Sequence, residues 1–77
     1  MGRVSDLARG GCYVDAINPF PSGARVKLRI SKENENFEAF GTVRYSQRGM
    51  GMGIAFEAVT PDQDQLLQDW LAKLSEE

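Results

Sequence analysis

Between Gly49 and Phe56 the chain alternates without a slip: Met50, Met52, Ile54 and Phe56 take one parity, while Gly49, Gly51 and Gly53 open the other. A period of two is the mark of a strand with one buried face. Bare backbone on the opposite face lets such a strand bend sharply, or lets a helix or ligand come close to it. By this means a short sheet curls towards a barrel. The same period recurs from Ala24 to Ser31, where Val26, Leu28 and Ile30 alternate with Arg25, Lys27, Arg29 and Ser31, so one face is core and the other is wet. The polar stretch Lys32 to Asn36 turns the chain into a longer strand, Phe37 to Tyr45, with Phe37, Ala39, Val43 and Tyr45 on one parity. Gly10 and Gly11 split two short apolar runs between Val4 and Val14, which predicts a hairpin-like turn with positive backbone angles. Asn18 to Gly23, with Pro19 and Pro21, breaks the sheet because proline has no N–H to give to a ladder.

After the strands the period changes. Thr60 suits a helix cap, Pro61 the first helical turn and Gln63 the closing member of a capping box, while Asp62 and Asp64 sit well at the positive end of the helix dipole. Leu66, Leu67, Trp70, Leu71 and Leu74 form one stripe at helical spacing, opposite Gln65, Gln68, Asp69 and Lys73. The stripe must pack on something, and an open face or end of the barrel is the available surface. Trp70, lying within it, reads as core. The expected fold is all-β: a small antiparallel β-barrel of five or six strands within residues 3–59, with one C-terminal α-helix over about 61–75. At 77 residues the chain is read as a single domain, 1–77, whose folding hides only about 60% of the unfolded surface.

Composition narrows the chemistry. The chain has no histidine, the commonest general base and metal ligand. Its one cysteine, Cys12, can form neither an internal disulfide nor a zinc site, and reads as a reduced, buried small hydrophobe of a cytoplasmic protein. The glycine run 49–53 leads into a strand, whereas a dinucleotide fingerprint opens a helix. No catalytic residue, metal ligand or cofactor is therefore expected, and the chain is not read as an enzyme. No stretch approaches the length of a membrane span, and the first residues hold no apolar signal core. The net charge of −2 conceals an asymmetry: residues 1 to 48 carry eight Lys/Arg against five Asp/Glu, and residues 49 to 77 one against six. The first part suits a small anion, while the acidic tail repels DNA or RNA. An OB-type nucleic-acid barrel would also need exposed strand aromatics interleaved with basic residues, and these are scarce.

One segment can bind a polar ligand. Asp6-Leu7-Ala8-Arg9-Gly10-Gly11 sets a carboxylate five residues before a glycine, with a cation between them. As plain chain physics it is a hairpin turn in which Asp6 bonds a nearby amide. Alternatively Asp6 accepts from a guanine N–H edge, Arg9 meets a phosphate, and the amides near Gly10 and Gly11 meet phosphate oxygens unobstructed by side chains. Together with Ser22 to Leu28, Gly41 to Tyr45 and Gly53 to Phe56, this turn resembles the PilZ family, small bacterial β-barrels that bind cyclic di-GMP. The family pattern is Asp/Asn-x-Ser-x-x-Gly, which Asp6 and Gly11 match while Ala8 replaces the serine.

What the resemblance implies is a non-enzymatic cyclic di-GMP signalling domain, with the ligand on the barrel's outer wall and binding that alters docking to a protein partner or to other domains of the parent protein. The implied site residues are Asp6, Arg9, Gly10, Gly11, Arg3 and Tyr45. Tyr45 stands where relatives often have a tryptophan beside a base; as plain structure it is a strand aromatic with its hydroxyl at the surface. The family's second motif, an upstream Arg-x-x-x-Arg that grips the phosphates, is not in this sequence. Either it precedes Met1 in the parent, or Arg3 and Arg9 replace it in part, or the domain is a divergent interaction module without the ligand. Two arginine contacts to a charged ligand are worth about 1.5–3 kcal/mol each, and the serine hydroxyl about 1 kcal/mol.

Overall fold

In the computed structural model, which describes residues 3–75, five strands and one helix follow in order: β1 Arg3–Ala8, β2 Gly11–Asp15, β3 Arg25–Lys32, β4 Glu35–Gln47, β5 Gly51–Ala58 and α1 Pro61–Ser75. The strands form one antiparallel sheet in the order β1-β2-β5-β4-β3. It curls into a half-barrel, and no ladder joins the edge strands β1 and β3. Between them lies a slot lined by Val4, Ser5, Asp6 and Leu7 on one side and Ile30, Ser31 and Lys32 on the other, with Trp70 at its base.

The alternation in the sequence becomes the two faces of the sheet. Cys12 and Val14 of β2, Val43 of β4, and Met52 and Ile54 of β5 bury together on the concave face. Half-buried Val26 and Leu28 of β3 pack against them. A second cluster joins Phe37 and Ala39 of β4 to Leu67 and Trp70 of α1, flanked by Leu66 and Leu71. The helix therefore fills the half of the trough that the strands leave open. Phe37 sits 5.4 Å from Phe56 and 6.3 Å from Trp70 between ring centres, and the Trp70 indole N–H donates to Glu35 at 3.1 Å. The side chain of Leu74, the last member of the expected stripe, lies outside the described residues.

The helix start departs from the expected capping box. Thr60 does cap, its hydroxyl accepting from the Gln63 N–H at 3.4 Å. The Gln63 side chain, however, turns away and its Oε1 accepts the Glu38 N–H at 2.7 Å, which fastens α1 to β4. Met50 also departs from its expected place on the core face. Gly49 takes a positive φ of 84° in the turn before β5, so the strand starts at Gly51 and Met50 is left exposed.

The basic residues of β3 lie on the wet face, as their parity requires. Arg25 pairs with Glu57 and Arg29 with Glu38, each at 3.5 Å, and the Lys27 ammonium lies 5.8 Å from the centre of the Phe40 ring.

Candidate ligand-binding site

The site is built on the first hairpin. β1 and β2 pair from Arg3 opposite Asp15 to Ala8 opposite Gly11, leaving Arg9 and Gly10 as a two-residue turn. A bulge between Val4 and Asp6 makes Ser5 the extra residue, whose hydroxyl donates to Asp15 at 3.1 Å. Beyond the bulge Asp6 stands exposed opposite Tyr13.

The glycines serve a purpose different from the expected one. Neither Gly10 nor Gly11 has a positive φ, which corrects the sequence-based expectation for this turn. Gly11 is needed for space. It pairs with Ala55 of β5, and a Cβ there would run into the Ile54 carbonyl. Around Gly10 there is open space, and its carbonyl accepts the Phe56 N–H at 2.9 Å. The turn is thus pressed onto β5 by main-chain contact.

The far wall comes from β4. Alternation alone would place Tyr45 on the same face as Phe37, Ala39 and Val43. Instead a bulge between Val43 and Tyr45 makes Arg44 an extra residue and shifts Tyr45 to the outer face, 60% exposed and opposite Gly53. The Tyr45 ring lies directly over Gly53, in the volume any side chain there would occupy. This is what the glycine face of β5 accommodates: an aromatic ring laid on bare backbone. Tyr13 lies next to it, the ring centres 6.2 Å apart and the planes inclined by 32°.

Asp6, Gly10, Gly11, Tyr13, Arg44, Tyr45 and Gly53 converge on one open pocket of about 290 Å³, to which Ala8 and Ala55 also contribute. Of the six residues singled out from the sequence, it gathers Asp6, Gly10, Gly11 and Tyr45. Arg3 and Arg9 lie off its lining. Arg3 begins β1 at the opposite end from the turn, and the Arg9 guanidinium lies 3.5 Å from Asp64 in the first turn of α1. Tyr13 and Arg44 were missed. The parity of Cys12-Tyr13-Val14 already pointed Tyr13 outward, but nothing in one sequence marks the bulge that brings out Arg44.

Chemically the pocket offers a carboxylate acceptor, a guanidinium, two aromatic rings and uncovered backbone. It has no nucleophile paired with a base. Cys12 also borders it, but burial pushes its thiol up to about 11, so it stays protonated at neutral pH. Among the described residues no group of His, Cys, Asp and Glu can hold a metal ion, and no helix is long and apolar enough to cross a membrane.

The family model of the PilZ domain matches residues 1–73. The chain belongs to the PilZ domain family. No curated protein and no solved structure matches it significantly. The segment Asp6 to Gly11, which resembles the family turn, forms the β1–β2 hairpin, and Gly41 to Tyr45, which resembles the family's valine-aromatic strand, lies in β4 with the bulge at Arg44.

Proposed function

We propose that this PilZ domain is a non-enzymatic, cytoplasmic receptor for cyclic di-GMP, with Asp6, Gly10, Gly11 and Tyr45 as its contacts, whereas Arg3 and Arg9 lie off the pocket lining. The observation that carries the reading is the shared pocket of Asp6, Gly10, Gly11 and Tyr45 on the outer wall. A carboxylate there accepts from the N–H edge of a guanine, the uncovered amides of the turn face phosphate oxygens, and the Tyr45 ring supports a base. Binding at this wall then changes how the domain docks to a protein partner or to the rest of its parent.

A second reading, in which the barrel is an interaction module that does not bind the nucleotide, is favoured by two observations. Ala8 lacks the family hydroxyl, and Arg9 already has a carboxylate partner in Asp64. Titration of cyclic di-GMP followed by amide shifts separates the two. The receptor reading expects shifts at Asp6 to Gly11 and around Tyr45 that Asp6→Ala removes. No perturbation at high micromolar nucleotide, in this chain and in the full parent protein, would leave the interaction module.

A further inference from the structure

Two cations stand near the turn, and the structure treats them differently. Arg9, the one the sequence picks out, is committed to Asp64 and lies outside the pocket lining. Arg44 lines the pocket, and among the described residues its guanidinium has no ion pair. Its main chain is fixed all the same. The bulge sets it apart from the ladder, and its carbonyl accepts the Ser22 hydroxyl at 3.2 Å. A fixed stem bearing an unpaired guanidinium beside a carboxylate and two rings is arranged for an anion attached to a planar group.

The aromatic part of the pocket is likewise more than one residue. Tyr45 reaches over β5 because Gly53 has no side chain, and Tyr13 lies beside it with the ring planes inclined by 32°. Together the two rings offer one broad apolar floor, with Asp6 on the β1 side and Arg44 on the β4 side.

We propose that Arg44 is the principal phosphate-holding side chain of this pocket and that Tyr13 shares with Tyr45 the floor on which the base rests. The inference rests on the nucleotide-receptor reading and goes beyond it, since neither residue belongs to the turn motif. Arg44 takes the role that the sequence alone gives to Arg9. Using Arg9 instead would first require breaking its pair with Asp64.

The test is amide-shift titration of the 77-residue chain with cyclic di-GMP, comparing wild type with four variants. Arg44→Ala is expected to weaken binding by about ten- to hundred-fold, the range for losing a charge-assisted contact, and Arg9→Ala by less. Tyr13→Leu is expected to lose about ten-fold, in line with removal of a stacking surface. Arg48→Ala, which removes the same charge outside the pocket, is expected to bind as wild type does. Arg44 is exposed, so its variant keeps the fold, which its amide spectrum without nucleotide checks. Wild-type binding that Arg44→Ala leaves intact, or a larger loss in Arg9→Ala, overturns the inference while the receptor reading stands. If the wild-type chain is silent, the same variants are titrated in the full parent protein, and silence of both up to millimolar nucleotide overturns the inference and the receptor reading together.

Discussion

Gly10 and Gly11 are neighbours with opposite tolerances. A methyl group at Gly11 meets the Ile54 carbonyl, a main-chain atom held in the sheet, whereas one at Gly10 meets nothing within 4 Å. Since neither has a positive φ, the difference is one of packing alone. Gly11→Ala is expected to destabilise the domain by about 1–3 kcal/mol, the usual cost of overpacking, with Gly10→Ala within about 0.5 kcal/mol of wild type. Urea unfolding of the two variants checks this, and equal losses would refute the packing account. At this scale the candidate site was partly legible. Asp6 and Gly11 stand out by their spacing, whereas Tyr13 was missed although its parity turns it outward. Arg44 and the outward turn of Tyr45 were hidden, because a bulge breaks the count on which parity depends.

Among the elements, the β3–β4 hairpin carries the clearest backbone strain. Lys32 pairs with Glu35, so Glu33 and Asn34 form a two-residue turn, with φ of 49° and 69°. Two positive φ values in succession define the turn whose twist matches that of the flanking strands. Asn tolerates that region and Glu does not. Glu33→Gly is accordingly expected to raise stability by about 0.5–1 kcal/mol, a rise in Tm of about 4 °C for a domain this size, read by thermal melting. An unchanged or lower Tm would show that the Glu33 side chain contributes something the turn geometry does not reveal. The strands and the helix were legible because their periods of 2 and 3.6 differ so plainly. Which partner Gln63 would choose was not, since the competing Glu38 amide is 25 residues away in the chain.

As a whole, the molecule is a curled sheet with two adjoining cores, one made by strands alone and one completed by α1. The pocket of Asp6 and Tyr45 lies on the convex side, and the helix fills the concave side. Arg9 bridges them through Asp64, which also accepts from the Gln68 amide at 2.8 Å. Leu67 is fully buried between the helix and Phe37. Leu67→Ala is expected to cost about 2–5 kcal/mol, a large part of the stability of so small a domain. The urea midpoint would fall accordingly, and a loss below 1 kcal/mol would mean that α1 adds little to the fold. The helix could be expected from the leucine stripe, whereas the open slot between β1 and β3 could not, because closure depends on the curl accumulated over the whole sheet.

Trp70 gives this arrangement a practical consequence. It is the only indole in the chain, 2% exposed, held by Phe37 and Glu35 and set on the face of the sheet away from the pocket of Asp6 and Tyr45. Its emission therefore reports on the seating of the helix and barely on the occupancy of the opposite face. A fluorescence change on adding nucleotide would mean that the news had crossed the sheet.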